Sequence, residues 1–245
     1  MRYLIVSDIH GNLAAFDAVL SAAPEHDQVL CLGDVVGYGP DPHECIHRLK
    51  ALPHAGVAGN HDWAVLGKLN LEDFNADAQT AARWTQEQVS PEDLAFLSQL
   101  PDRLTAGDFT IAHGSPRHPI WEYILQTSTA RANFAHFETP FCLVGHTHVP
   151  MIYALQDDRP NPRCRTFTPS EEIVLDLANA PRMIINPGSV GQPRDGSPLA
   201  AYAVLDTDAQ TLSFHRQEYP VGETQRRMGE LSLPARLIAR LSFGW

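Results

Sequence analysis

Seven side chains able to hold a metal ion each stand just behind a short apolar run. Asp8 and His10 follow residues 3–6, Asp34 follows 29–32, and Asn60 follows Val57 and Ala58. His113 follows 109–112, and His146 and His148 follow 141–144. Runs of that length read as strands, and ligand sites in α/β sheets lie beyond the carboxyl ends of strands. Singly, such residues usually cap turns or sit satisfied in a core, and short motifs carry many false positives. Jointly, strand ends that deliver only imidazole, carboxylate and carboxamide groups point to a metal site. Four imidazoles, two carboxylates and one carboxamide exceed what a single catalytic ion uses, and match two ions sharing a bridging carboxylate. Mixed nitrogen and oxygen donors favour Mn, Fe, Co, Ni or Zn over Mg and Ca. Two divalent ions about 3.5–4 Å apart acidify a bridging water and clamp both oxygens of an in-line displacement at phosphorus.

The elements that must present these residues are written in the apolar pattern. Runs at 3–6, 29–32, 109–112, 141–144, 151–155, 173–175, 183–185 and 200–205 predict strands. Asn12 precedes a stretch with Leu13, Phe16, Val19 and Leu20 that ends near Pro24, the pattern of an N-capped amphipathic helix. Residues 42–52 and 73–89 read likewise, and Pro91 opens a further helix at its first position. Strands alternating with helices predict parallel pairing in the first half. After Gly145, strands joined by Pro- and Asp-rich turns predict antiparallel pairing. The expected fold is α/β, two facing mixed β-sheets flanked by helices. Residues 156–170 lack an apolar period and read as a surface excursion or hairpin tip.

No boundary divides the chain, so residues 1–245 read as one domain with a helical tail over 221–245. The tail carries Arg226 and Arg227 on a polar helix, then Pro234 opening a helix with Leu237, Ile238 and Leu241 on one stripe. That stripe docks on the domain or makes a homodimer contact. At 44% hydrophobic and 19% charged, the chain has a globular composition, which excludes disordered and collagen-like readings. A net charge of −11 repels polyanions and argues against general nucleic-acid binding or an anionic-membrane surface. The first apolar run is too short for a signal-peptide core, and the expectation is a cytoplasmic protein. Cys31, Cys45, Cys142 and Cys164 share no metal-binding spacing and read as reduced thiols.

The ordered signature D-x-H, G-D-x-x, G-N-H-[DE], H, G-H-x-H runs complete from Asp8 to His148. On it the chain resembles the calcineurin-like metallophosphoesterase superfamily. The G-D-x-x-G-Y-G-P stretch from Gly33 and the later N-P-G-S-V-G-Q-P-R of 186–194 resemble its small bacterial and archaeal phosphodiesterase-type branch. The resemblance implies a two-sheet sandwich and a dinuclear centre, with Mn the leading metal and Fe, Zn, Ni or Co the others. It places Asp8, His10 and His148 on one ion, Asn60, His113 and His146 on the other, and Asp34 between them. It implies that a metal-bound hydroxide attacks a phosphate ester in line. His61 resembles the family's substrate-facing histidine, with Asp62 orienting its ring. The alternatives are a turn residue and a helix cap. Protein phosphatases of the superfamily carry an Arg-Gly soon after the bridging aspartate, absent here after Asp34.

The glycines of 186–194 allow a turn whose amides face an anion, or a plain connection between strands. Arg194, Tyr38 and Asn12 are candidate substrate contacts, and Arg194 has the forked guanidinium suited to phosphate. Trp121 and Tyr123 stack on a nucleoside base or pack. The other histidines read as surface residues. The expected function is a phosphodiesterase acting on a small phosphate ester or nucleotide. A phosphomonoesterase or protein phosphatase using the same centre is the alternative. A third reading is a non-catalytic scaffold, like the retromer subunit on this fold, although no ligand is missing here.

Overall fold

Alternation along the central strands decides the layering. In β1 (Arg2–Val6), Leu4 and Val6 join one apolar cluster, while Ile5 joins another on the opposite face. Period-two side chains divide a doubly covered strand in this way. In β2 (Gln28–Cys31), Val29 and Cys31 accompany Leu4, and Leu30 accompanies Ile5. The computed structural model describes residues 1–156, 162–170 and 173–245. Among them two six-stranded mixed sheets face each other.

The first sheet runs in the order β3 (His54–Gly56), β2, β1, β11 (Ala200–Asp206), β12 (Thr211–Gln217), β9 (Val174–Asp176). The second runs β4 (Arg103–Ala106), β5 (Phe109–Ala112), β6 (Phe141–Leu143), β10 (Met183–Asn186), β7 (Met151–Gln156), β8 (Arg163–Phe167). Between them lies a core containing Ile5, Leu30, Ile111, Leu143, Ile185 and Phe214. Outside the first sheet pack α1 (Leu13–Ala22), α2 (Pro42–Lys50) and α5 (Pro91–Gln99), through Phe16, Ile46 and Leu97 among others. Outside the second, α6 (Thr127–Asn133) brings Ala130 against Cys142, Tyr153 and Ile184.

β3, β2 and β1 pair in parallel as expected. In the second half, β7 and β11 pair antiparallel with their neighbours, but β10 lies parallel to β6. That strand returns to the centre of the second sheet, where a buried parallel position suits its apolar sequence. Four strands escaped the sequence reading. β3 is three residues long, β4 is a short half-buried edge, and β8 is a largely exposed edge with little apolar content. β12 buries only Leu212 and Phe214 on alternate positions. The excursion expected at 156–170 is partly β8, with Gln156 opposite Arg163. Residues 157–161 of that stretch lie outside the described residues.

Asn12 caps α1, its side chain accepting from the Ala15 amide, and Pro91 takes the first turn of α5 behind Ser90. The four cysteines are free thiols. No helix among the described residues is long and apolar enough to cross a membrane. His43 and His47, read as surface residues, flank the buried Asp93 of the α5 capping box. His43 Nδ1 lies 2.8 Å from Asp93 Oδ2.

The tail docks on the body. α7 (Val221–Glu230) and α8 (Ala235–Arg240) set Met228, Leu237 and Leu241 against Tyr38, Ala64 and Phe74. Between Ala64 and Phe74 the chain passes from α3 (Asn60–Val65) toward α4 (Ala76–Gln88). Arg227 of α7 pairs with Asp41, the residue preceding α2. Leu237 is almost fully buried, so Leu237→Ala should cost roughly 2–5 kcal/mol in urea unfolding. A loss below about 0.5 kcal/mol, the range of surface substitutions, would mean that the tail is undocked in solution.

Candidate metal centre

The expected ligands converge because strand ends of both sheets open on one side. Asp8 and His10 follow β1, Asp34 follows β2, and Asn60 starts α3 after β3. His113 follows β5, and His146 and His148 follow β6. All seven are essentially buried. The turns after β1, β2 and β6 bend sharply at the ligands themselves. Asp8, His10, Asp34, His146 and His148 all have φ between 50° and 65°, a left-handed conformation uncommon outside glycine. Tyr38 shares it at 61°.

Main-chain carbonyls aim three of the imidazoles. His10 Nδ1 lies 3.1 Å from Val36 O, His113 Nδ1 2.9 Å from Leu32 O, and His148 Nδ1 2.6 Å from Gln192 O. Nδ1–H donation of this kind leaves the Nε2 lone pairs facing inward, the second layer of support typical of metal-ligating histidine. The inward atoms then crowd. His10 Nε2 and His148 Nε2 are 3.1 Å apart. His113 Nε2 lies 3.1 Å from both Asn60 Oδ1 and His146 Nδ1. Asp34 Oδ2 sits 3.6 Å from His10 Nε2 and 3.3 Å from His113 Nε2. Asp34 Oδ2 and His146 Nε2 are buried without a hydrogen-bond partner. Acceptors this close repel unless a cation lies between them, either protons or metal ions. The donor set therefore fits divalent metal.

Three overlapping groupings emerge here, Asp8 with His10 and His148, Asp34 with His113 and His146, and, between them, His10 with Asp34 and His61. Asp34 Oδ2 stands between their imidazoles, where a shared carboxylate would be required. Without metal, titration follows the same competition. Burial alone would raise Asp8, but His148, His113 and the Ser7 hydroxyl hold it well below the usual carboxylate range. Burial likewise opposes ionisation of Asp34, yet His113, His61 and His10 outweigh it and lower its pKa. His113 rises to about 9 because Asp34 overcomes the desolvation that would lower it. Burial pushes His10 and His146 well below the ordinary imidazole value.

His61 enters the same space. Its main-chain amide donates to Asp34 Oδ1 at 2.8 Å, its ring centroid lies 5.0 Å from that of His10, and its Nδ1 is buried without a partner. Burial lowers it to about 4. Asp62 does not orient this ring. Its Oδ2 accepts the amides of Asp34 and Gly59 at 2.9 Å, and its Oδ1 accepts that of Val36 at 3.2 Å. It is the helix cap of the two readings, and it fixes the loop carrying Asp34. Gly59 allows this approach, since a Cβ there would lie 2.0 Å from Asp34 Oδ1. Gly37, at φ +91°, leaves room for the His61 ring, whose Nδ1 would be 2.6 Å from a Cβ.

The substrate candidates separate. Asn12 is engaged structurally, its Oδ1 accepting from Ala15 and Thr224 and its Nδ2 donating to Gly191 O. Tyr38 lines the site, its ring 4.6 Å from His10 and 4.2 Å from His61. The 186–194 turn does lie beside the ligands, but its amides do not face an anion. Val190 and Gly191 donate to Ser7 O and Asp8 O, and Gln192 donates to Ser189 Oγ. Arg194 leaves this turn with its guanidinium 5.8 Å from the Tyr38 ring centroid.

The sequence left Tyr123 and Trp121 undecided between stacking and packing. Tyr123 stacks on His146 with centroids 3.8 Å apart, and Trp121 leans on Phe74 at 4.8 Å. Both remain over a third exposed, forming an aromatic rim. Glu122 between them pins the loop, accepting from Ser115, Arg117 and Asn133, and these bonds, Arg117's foremost, lower it to about 2.

A ligand that binds only the folded state stabilises it by mass action, by about 2.7 kcal/mol at one hundred times its Kd. Mn²⁺ should therefore raise the melting temperature of chelator-stripped protein, and Asp34→Asn should remove most of that rise. An equal rise in the variant would place the metal elsewhere.

Comparison with known proteins agrees with this geometry. The family model described as the calcineurin-like phosphoesterase superfamily domain matches residues 1–210. An uncharacterized protein of Methanocaldococcus jannaschii is 34% identical over 247 aligned residues, covering 98% of this chain and 97% of its own. A crystal structure of a metallophosphoesterase from Sphaerobacter thermophilus superposes with a TM-score of 0.89 at 48% identity, covering 100% of this chain and 99% of that one. A hypothetical protein from Pyrococcus horikoshii shares the fold, with a TM-score of 0.79 at 20% identity over 100% of this chain and 98% of that one.

Proposed function

Because the chain belongs to the calcineurin-like phosphoesterase superfamily, we propose that it is a dinuclear metal-dependent phosphodiesterase acting on small phosphate esters or nucleotides. The observation that carries this reading is Asp34 Oδ2, buried, without a geometric hydrogen-bond partner and set between the His10 and His113 imidazoles. Asp8, His10 and His148 would hold one ion and Asn60, His113 and His146 the other, with Asp34 on both. Two bound divalent ions supply an acidified water and neutralise the charge that develops at phosphorus.

The chain's own groups do the remaining work. Ser7 donates to Asp8 Oδ2 at 2.6 Å and the His146 amide donates to the same carboxylate, so Asp8 stays ionised and fixed in direction. His61, kept neutral by burial, offers a ring N–H to an oxygen of the transferring group or to the leaving oxygen. The Tyr38 ring restrains His61 from one side, and Phe74, at 5.3 Å, from another. Tyr123 and Trp121 wall the opening with apolar surface that suits an aryl or nucleoside substituent. A diester has such a group on each side of phosphorus. With a net charge of −11 the body of the protein repels long polyanions, which favours short substrates.

Chelator-stripped protein should cleave neither bis-p-nitrophenyl phosphate nor p-nitrophenyl phosphate, and Mn²⁺ should restore cleavage with the diester preferred. His61→Ala should lower kcat by roughly 10²–10⁴, the span of general acid–base contributions, while Mn²⁺ still raises the melting temperature. A preference for the monoester would favour the phosphatase reading. Bound metal with neither ester cleaved would favour a scaffold or a narrow substrate range.

A further inference from the structure

Gln192 joins the metal centre to a pair of arginines. Its carbonyl oxygen lies 2.6 Å from His148 Nδ1. Its side-chain Oε1 accepts from Arg194 Nη2 at 2.9 Å and from Arg240 Nη1 at 3.0 Å. Arg194 comes from the turn after β10 and Arg240 from the end of α8, 46 positions apart in sequence. Two guanidiniums are thus drawn onto one neutral oxygen.

The charges around them do not balance. Arg2, Arg48, Arg117, Arg216, Arg226 and Arg227 each pair with a carboxylate. In a chain with 29 acidic and 18 basic residues, such partners are abundant. Arg194 and Arg240 form no ion pair among the described residues, and the Nε of each is buried without a partner. Asp77 attracts Arg240 only from beyond ion-pair range, while Arg194 and Arg236 repel it. Burial and that repulsion hold the Arg240 guanidinium below the usual arginine range. Holding two like charges together, half-buried and unneutralised, costs stability unless an anion occupies the site for part of the protein's working cycle.

Position identifies the anion. The Arg194 guanidinium borders Tyr38, which covers His10 and His61, and the Arg194 amide donates to His148 O at 3.2 Å. Arg240 lies farther out, on the tail. We propose that Arg194 and Arg240 form an anion subsite for a second phosphate of the substrate, so that the preferred esters carry a phosphate beyond the one attacked. This rests on the phosphoesterase reading of the neighbouring centre. Guanidinium forks match phosphate oxygens in geometry and charge, and the vacant Nε–H groups supply the donors. Gln192 holds the forks in register in the absence of ligand.

AMP and ADP differ by one phosphate and serve as probes. Calorimetric titration of the Mn²⁺-loaded protein should show ADP binding about tenfold or more tightly than AMP, the scale of one good charge-assisted contact. Arg240→Gln should reduce that preference to below about threefold. Arg240→Lys, which keeps the charge without the fork, should retain an intermediate preference. Circular dichroism and Mn²⁺-dependent melting of each variant separate a lost contact from a lost fold. Equal binding of AMP and ADP by the wild type, or an undiminished ADP preference in a folded Arg240→Gln, would overturn the subsite. Binding and turnover are read separately, so an ADP preference that Arg240→Gln abolishes, in a protein that cleaves no ester, would sink the phosphoesterase reading and leave the two arginines an anion site without a reaction.

Discussion

The structure depends on keeping several acceptors together, out of water, at the mouth of two sheets. Asp8, Asp34 and four imidazoles meet at 3–4 Å with the main chain already holding their outward atoms. Such a cluster is unstable by itself, since buried lone pairs and carboxylates pay for desolvation and repel one another. The surrounding fold must therefore supply the free energy that keeps it assembled. Two well-filled apolar cores do so. One lies between the sheets, and the other lies between the first sheet and its helices.

Backbone conformation shows the same investment. Left-handed φ at a non-glycine residue costs on the order of 1–3 kcal/mol, and five ligand-type residues adopt it here. The reason is geometric. A strand that simply continued would carry Asp8 and His10, two positions apart, on one face of the sheet instead of across its end. Reversing the chain at the ligand turns each side chain over the strand terminus. The bends are held by main-chain bonds between neighbouring loops, such as His10 N to Asp34 O and Asp8 N to Gly33 O. Asp62 works within this frame through three amides, which explains why a buried carboxylate committed to the main chain sits so close to the centre.

Much of this was legible because residue type and strand position coincide. Asp8, His10, Asp34, His113, His146 and His148 each follow a run whose apolar content marks a strand, Asn60 follows only the pair Val57 and Ala58, and the structure gathers all seven. Edge strands such as β8 were not legible, because an exposed strand has no apolar alternation to declare it. Asn12 was ambiguous for a different reason. A polar residue beside a ligand motif fits either substrate binding or helix capping, and only the partner atoms distinguish them. Arg240 was invisible to spacing arguments, since nothing local connects it with the residues near Gly33 or His148. It reaches them because Leu237 and Leu241 seat α8 against Tyr38.

Chemistry and selection consequently draw on different parts of the chain. The ligand-type residues lie within 8–148, inside the region matched by the family model, whereas α7 and α8 lie beyond residue 210. The tail does not supply a single ligand-type residue to the metal cluster, yet it packs on the tyrosine that covers His10 and His61. A change in the stripe of α8 would therefore reach the site in two ways, by loosening Tyr38 and by moving Arg240 relative to Gln192. The aromatic rim of Trp121 and Tyr123 is anchored separately, through Glu122 and Arg117. With the ligands fixed by the sheets, the two sides of the opening can vary independently, one through the tail and the other through the loop. On the proposed reading, that division would let one frame accept different esters without disturbing the strained turns on which it depends.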